Sequence, residues 1–400
     1  MQGTPKANRL HIGIFGKRNA GKSSLINRLT QQDISIVSPT AGTTTDPVEK
    51  TMEFLPLGPV VFIDTAGIDD VGNLGSQRIE KTKKIFDRTD VAIIICDNNG
   101  WDEYETELLN EFKTRNIPTI AVINKNDVKK ISEQDFENIK QYVTNAIKTS
   151  LKNDEEIVEK IKEQLINICP DDFITPPSLL GDIVEPKDTV ILVVPIDKEA
   201  PKGRLILPQV QVLRDLLDNK CKAFVTQDTE LKQTLEELKR PPRLVITDSQ
   251  AFASVSKDVP DDIELTSFSI IFARIKGDLK EFYQGAKQID KLQDNDKVLI
   301  CESCTHHQIE DDIARVKIPK LLTQKTGKNL EFVYHSGHDF PQDLEQYSLL
   351  IHCGACMTNR KEVLSRIMKC QKANLPISNY GIVISYCLGI LERALKPFNI

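Results

Sequence analysis

Short β-branched apolar runs alternate with stretches of helical period along nearly the whole chain. Up to Pro170, HIGIFG, VVFID, VAIIICD and IPTIAVIN are separated by helical patterns, which predicts a mostly parallel sheet flanked by helices. The segment Cys169 to Pro186 (CPDDFITPPSLLGDIVEP) breaks this rhythm with proline and aspartate and reads as a linker. A second alternating unit follows, with strands at DTVILVVPI, KAFVTQ and RLVITD and a helix near Leu207 to Asp218. SKDVPDDIEL marks the next boundary. The last segment opens on a strand-like run, SFSIIFARI. A helix near Leu279 to Leu292, the strand KVLICES, a charged helix, the strands NLEFVYH and SLLIHC, another helix and the apolar run GIVISYCLG complete it. Since 400 residues exceed one ordinary core, the pattern predicts three α/β domains in series, at 1–172, 178–262 and 266–400, the last with a Rossmann-like parallel sheet.

Composition narrows the partners. The net charge is −6, from 52 Lys and Arg against 58 Asp and Glu, with no basic block that would mark nucleic-acid binding. The start, MQGTPKANRLHIGIFG, has no apolar stretch ahead of a small-residue cleavage site. No later segment approaches the roughly 20 apolar residues of a membrane span. The expectation is a cytoplasmic protein with neither membrane nor nucleic acid as partner.

Nine cysteines, an odd number, argue for free thiols in a reducing compartment rather than a disulfide framework. Cys96, Cys169, Cys221, Cys370 and Cys387 stand alone in apolar or helical surroundings and read as small buried hydrophobes. Cys301, Cys304, Cys353 and Cys356 are clustered and call for an explanation.

The run from Gly16 to Ser23 fits G-x-x-x-x-G-K-S, directly after the strand HIGIF and before the helix SSLINRL. Gly16, Ala20 and Gly21 let backbone N–H groups approach phosphates, and the helix opening at Ser23 and Ser24 adds a favourable dipole. Lys22 is expected to reach the β and γ phosphates and Ser23 to ligate magnesium. Three further motifs follow in order. Thr44, in AGTTTD, is the expected switch threonine on magnesium. Asp64, ending VVFI, begins D-x-x-G, with Gly67 placed to sense a γ-phosphate. Asn124, Lys125 and Asp127 form N-K-x-D, whose aspartate can pair with the guanine N1 and N2 donors and so selects GTP over ATP. Lys22, Thr44 and Gly67 are the residues expected to serve hydrolysis itself. The fifth guanine motif is poorly matched, with Thr144-Asn145-Ala146 the best candidate.

Together these residues resemble the translation-factor-related GTPases, particularly the subgroup of the tRNA-modification GTPase. That resemblance implies that Asn19 helps bind an activating potassium ion. Ile68 stands where Ras-like enzymes carry the catalytic glutamine, so turnover is expected to be slow.

Cys304-Thr305-His306-His307 follows the strand KVLICES, and His352-Cys353-Gly354-Ala355-Cys356 follows SLLI. In an open parallel sheet both turns lie at carboxyl ends of strands, where such folds place ligands. Three thiols, Cys304, Cys353 and Cys356, therefore converge with His306 and His352. The pattern allows a redox pair at Cys353 and Cys356, a structural zinc on Cys301, Cys304, Cys353 and Cys356, or an iron-sulfur cluster on three thiolates with a histidine or a carboxylate such as Glu310, Asp311 or Asp312 as fourth ligand. Cys301, inside the strand, reads rather as a buried core thiol. His307, His335 and His338 read as surface or loop histidines.

C-x-H and H-C-x-x-C with 45 residues between the two histidines, on a chain that begins with a GTPase pattern, resemble the FeFe-hydrogenase maturation GTPase family, HydF. The run from Val193 to Gln209 (VVPIDKEAPKGRLILPQ) is similar to that family as well. The resemblance implies a GTPase domain, a small dimerisation domain and a cluster-binding domain. It implies a 4Fe-4S cluster on Cys304, Cys353 and Cys356 with His306 or His352 as labile ligand or close neighbour. It further implies that the chain assembles or carries the precursor of the two-iron subcluster, received from two radical-SAM maturases and delivered to apo FeFe-hydrogenase, and that it works as a homodimer. Two other functions fit the residues: a zinc-stabilised GTPase in RNA modification or ribosome assembly, and a GTP-regulated thiol oxidoreductase.

Overall fold

A computed structural model describes residues 8–17, 19–30, 48–54, 57–65, 84–97, 100–170, 178–196, 205–302, 312–338, 340–355 and 358–400. The chain divides into two compact units, residues 1–176 and 177–400.

In the first unit, β1 (Leu10–Phe15) is buried along its whole length and feeds α1 (Lys22–Thr30). It lies inside a six-stranded sheet with β2 (Val48–Phe54), β3 (Gly58–Asp64), β4 (Val91–Cys96), β5 (Thr119–Ile123) and β6 (Ala146–Lys148). The order is β2-β3-β1-β4-β5-β6, and only β2 runs antiparallel to its neighbour. Alternate residues of each strand feed opposite cores: Ile12, Ile93 and Val122 on one face, Val61, Ile94 and Ala121 on the other. Burial on both faces explains why these strands read as apolar runs. The helices α2 (Glu103–Thr114), α3 (Glu133–Tyr142) and α4 (Ile157–Ile168) complete the layers. After β1 the chain goes to β3 on one side and returns to β4 on the other, so the turn after β1 opens at a switch point.

The second unit holds two four-stranded sheets, both wholly parallel. The first comprises β7 (Thr189–Val193), β8 (Lys222–Thr226), β9 (Leu244–Thr247) and β10 (Glu264–Ser267), in the order β10-β9-β7-β8. The helices α5 (Leu207–Asp218), α6 (Leu231–Glu237), α7 (Phe252–Asp258) and α8 (Phe268–Lys276) belong to this part. The second comprises β11 (Lys297–Glu302), β12 (Glu331–Ser336), β13 (Leu349–His352) and β14 (Ile377–Asn379), in the order β12-β11-β13-β14. Around it lie α9 (Leu279–Lys287), α10 (Ile318–Thr326), α11 (Arg360–Lys372), α12 (Tyr380–Cys387) and α13 (Leu391–Leu395). One hydrophobic core runs through both sheets, joining Ile191, Val245 and Leu265 to Val298, Ile300 and Ile351.

The run SFSIIFARI is not a strand. β10 ends at Ser267, whose hydroxyl accepts a hydrogen bond from the Ile270 N–H and caps α8. α8 packs against α5, α11 and α12 and is apolar nearly all round, so its period is hidden and the run mimics a strand. GIVISYCLG falls mostly in α12 for the same reason, with Tyr380 to Ser385 all buried. No helix among the described residues is long and apolar enough to cross a membrane.

Candidate functional site

The turn after β1 is shaped by residues that tolerate no substitution. Gly16 has φ +148°, and a Cβ there would stand 2.0 Å from the Ile95 carbonyl oxygen; Gly21 has φ +114°, and its Cβ would meet the Asn124 amide at 2.3 Å. Lys22 is 5% exposed and turns its ammonium back onto the loop, donating to the carbonyls of Gly16 and Lys17. The Ser23 hydroxyl donates to Asp64 at 2.9 Å, so the expected magnesium ligand and the aspartate of D-x-x-G already adjoin. That oxygen-only pair suits magnesium. Asn19 is exposed, in a left-handed conformation (φ +62°), and Ser24 is exposed on the first turn of α1. Thr44, Gly67 and Ile68 lie outside the described residues.

N-K-x-D divides its labour. Asn124 is buried and braces the site: its Nδ2 donates to the Ala20 carbonyl at 2.8 Å and its Oδ1 accepts from the Leu151 N–H at 3.1 Å. Lys125 has φ +60° and stands 3.7 Å from Asp97. Asp127 is exposed, and the neighbouring Ser150 hydroxyl holds its carboxyl below the usual range although the pair lacks good hydrogen-bond geometry.

These contacts correct the fifth guanine motif. β6 runs parallel to β5, so Thr144-Asn145-Ala146 sits at the amino end of β6, the wrong end of the sheet. The segment that meets N-K-x-D is Thr149-Ser150-Leu151, just after β6, with the Asn126 N–H donating to Thr149 O at 3.1 Å. Ser150-Leu151-Lys152 is the S-A-K-like signal, and Leu in place of Ala concealed it.

In the second unit, β11 and β13 are adjacent and parallel with Cys301 opposite His352, so the segments that follow them leave the same end of the sheet at its switch point. Cys304, His306, His307, Glu310, Asp311 and Cys356 lie outside the described residues. Cys301 is fully buried in the core. Cys353 is half-buried; its N–H donates to the Cys301 carbonyl at 2.9 Å, and its carbonyl accepts from the Asn379 amide at 3.3 Å. Its sulfur accepts the Ala355 N–H at 3.5 Å. Ala355 takes the left-handed conformation, φ +54°. Below the loop, the buried Lys276 ammonium at the end of α8 donates to the carbonyls of Ala355 at 2.6 Å and Thr358 at 3.0 Å.

His352 is 1% exposed, and both ring nitrogens are engaged. Nδ1 lies 2.8 Å from the Cys353 carbonyl and Nε2 lies 2.9 Å from the Arg366 guanidinium. A carbonyl only accepts and a guanidinium only donates, so the hydrogen sits on Nδ1 and the Nε2 lone pair faces Arg366. In this arrangement His352 offers iron no lone pair, which favours the close-neighbour alternative over the ligand. Arg366 also donates to the Gly337 carbonyl and to Glu362, each at 2.7 Å, and Glu362 in turn meets His338 at 3.0 Å. His338 thus belongs to the network, and His335 lies on β12 opposite Cys301, not on a loop. Asp312 caps the turn before α10, accepting from the Ala314 and Arg315 N–H groups, which occupies one carboxylate oxygen.

Among the lone cysteines, four are buried and Cys387 is half-buried. Burial pushes the thiols of Cys96, Cys370 and Cys387 up to about 12, as befits inert packing groups.

Of the expected cluster thiols Cys353 alone lies among the described residues, which hold no group of three or more His, Cys, Asp or Glu placed for a metal ion. A half-exposed thiol that already accepts a backbone N–H is the kind of sulfur such groups bind. Tyr380 follows Asn379, which stands opposite His352 in the pairing of β13 with β14, and its hydroxyl is buried with no hydrogen-bond partner among the described residues, an orphan that an incoming acceptor would satisfy. Lys276, Glu362, Arg366, Asn379 and Tyr380 belong to no motif; only the i, i+4 pairing of Glu362 with Arg366 could have been noticed in the sequence.

A phosphate-loop domain with an N-K-x-D loop, joined to a unit of two parallel sheets, defines a multidomain GTPase. Residues 11–125 match the family model described as 50S ribosome-binding GTPase. Residues 179–277 match the hydrogen maturase F dimerization domain, and residues 280–397 match the hydrogen maturase F tetramerization domain. The chain belongs to the hydrogen maturase F family.

The N-terminal part is also similar to tRNA modification GTPase MnmE of Prochlorococcus marinus, 38% identical over 136 residues, which is 34% of this chain and 28% of that protein. GTPase Der of Wolinella succinogenes is 33% identical over 172 residues, covering 40% and 36% respectively. The chain thus spans only about a third of the length of these relatives. A crystal structure of Era with MgGDPNP and a 16S ribosomal RNA fragment matches 54% of this chain and 92% of that one, at a TM-score of 0.34 and 22% identity.

Proposed function

We propose that the chain binds and hydrolyses GTP and carries a 4Fe-4S cluster on Cys304, Cys353 and Cys356, serving to assemble the two-iron subcluster precursor of FeFe-hydrogenase or to deliver it. The observation that carries this reading is the parallel pairing of β11 with β13, which sets Cys301 opposite His352 so that the two strands end side by side. A cluster bound by three thiolates supplies an iron with an open coordination position, at which an incoming unit can be held. His352 fixes the loop through Cys353 and Arg366 instead of ligating, which leaves the fourth position to His306, a carboxylate, water or an exogenous group.

In the first unit Gly16, Gly21 and Lys22 hold the phosphates, Ser23, Asp64 and Thr44 hold magnesium, and Asp127 reads guanine. Asn19 supports a potassium ion, and Ile68 in place of a glutamine keeps turnover slow. GTP acts as a switch on affinity for apo-hydrogenase and the two radical-SAM maturases. The chain works in the cytoplasm as a dimer or higher oligomer. β8, the outer strand of its sheet, exposes Phe224 (43%) and Val225 (48%), an edge suited to a second copy. Sedimentation as a monomer at micromolar concentration would count against that assembly.

The decisive experiment is anaerobic reconstitution with iron and sulfide, followed by EPR of the reduced protein. Four irons per chain with a reduced-cluster signal are expected, and both are lost in Cys304→Ala, Cys353→Ala or Cys356→Ala. A diamagnetic protein holding stoichiometric zinc, or a disulfide between Cys353 and Cys356 with no iron, would overturn the reading.

A further inference from the structure

Tyr380 opens α12, directly after Asn379, whose amide holds the Cys353 carbonyl. Its side chain packs into the core of the second unit, 9% exposed, and its hydroxyl oxygen is buried without a hydrogen-bond partner. Such an orphan costs about 1–3 kcal/mol, which phenylalanine would avoid while filling the same space. Asn379 stands opposite His352 in the pairing of β13 with β14, which sets Tyr380 at the end of the sheet where Cys353 lies; burial first, then the neighbouring acidic groups Cys353, Glu302, Cys301 and Asp312, raise the phenol well above its ordinary range. Three of them belong to the packing of the fold. Glu302 pairs with Arg315 at 2.6 Å, Asp312 caps its helix turn, and Cys301 is packed within the sheet. The fourth, Cys353, is half-exposed and belongs to the site.

We propose that Tyr380 donates a hydrogen bond to a sulfur of the iron-sulfur cluster bound at Cys353, and thereby sets that cluster's reduction potential. The inference rests on the cluster reading above. A hydrogen bond to cluster sulfur favours the more negative, reduced form and so raises the potential. No role in holding the fold is required of the hydroxyl, since nothing among the described residues accepts its hydrogen.

The test uses the full-length protein, reconstituted anaerobically, as parent, Y380F and Y386F. Tyr386 also lies on α12, but its hydroxyl bonds Asp290, so Y386F controls for loss of a tyrosine oxygen elsewhere on the helix. Iron and sulfide per chain, the midpoint potential from an EPR-monitored redox titration, and the melting of the cluster-free protein are measured for each. The expected result is full cluster content in all three, a midpoint shifted to more negative potential in Y380F alone, and cluster-free Y380F melting at or above the parent. A fully loaded Y380F with the parental midpoint overturns the inference and leaves the cluster reading intact. So does a cluster-free Y380F that melts well below the parent, because the hydroxyl then has a partner within the protein. A parent that takes up no cluster overturns the reading itself, and the inference with it.

Discussion

At the carboxyl end of β1 the chain offers a ligand its backbone; at the carboxyl ends of β11 and β13 it offers side chains. Both positions are switch points of parallel sheets. The first is held by two glycines with no room for a Cβ and by a lysine and an asparagine that bond loop carbonyls. The second is held by Arg366, Glu362, His352, His338 and Lys276, drawn from α8, β13, α11 and the turn after β12. A backbone site is insensitive to most side chains but intolerant at a few positions. A side-chain network spreads its dependence over residues far apart in the chain.

Arg366 should expose that difference most sharply. Its guanidinium is 2% exposed and serves His352, Gly337 and Glu362 at once. R366M takes the guanidinium away from the buried Glu362 carboxylate, 4% exposed, and breaking a buried pair in this way costs about 3–5 kcal/mol. Denaturant unfolding should lose that stability from the unit of residues 177–400, while affinity for a fluorescent guanine nucleotide stays at the parental value. Parental stability in R366M would mean that the network is decoration.

The converse variant, D127A, should leave stability alone because the carboxylate is exposed. It removes two charge-assisted hydrogen bonds to guanine, worth about 3 kcal/mol together, or roughly a hundredfold in GTP affinity, with no loss for ATP. Equal weakening of both nucleotides in competition binding would show that Asp127 shapes the loop instead of reading the base.

The same contrast explains what could be read in advance. The GTPase domain was legible because backbone sites need glycine, lysine and serine at fixed spacing, whereas the segment that meets N-K-x-D, Thr149-Ser150-Leu151, was missed because Leu stands where the S-A-K pattern has Ala. The C-x-x-C pattern is local in the same way, with Cys304 and Cys356 outside the described residues. Which of its two open roles His352 plays was not legible, because whether an imidazole ligates or braces depends on Arg366, fourteen residues away and one helix distant. Tyr380 was invisible, since an unpartnered hydroxyl has no sequence signature. α8 was misread because helices on several sides erase the amphipathic stripe by which a helix is recognised.

The smallest effect should come from the side-chain cluster that touches the backbone-built site. Lys17, in the phosphate loop, bonds Asp102, the N-cap of α2, and stands 3.8 Å from Glu105 in the first turn of that helix. Glu105 is 1% exposed, and burial, then its contact with the Asp102 side chain, pushes its carboxyl up to about 7 from an ordinary 4.5, whereas the Lys17 bond holds Asp102 below its usual range. A carboxyl raised in the fold stabilises it fully below about pH 4.5, and that contribution is lost as the pH rises through about 7. Above that range the folded protein carries an ionised, buried Glu105 at a cost. Glutamine has the same shape, keeps an oxygen to accept the Asp102 N–H and never ionises. E105Q should therefore melt with the parent at low pH, diverge upward between pH 4.5 and 7, and keep a constant advantage above it. Parallel melting curves across that range would mean that Lys17 neutralises both carboxylates, and that even this corner of the nucleotide site is governed by a side-chain network.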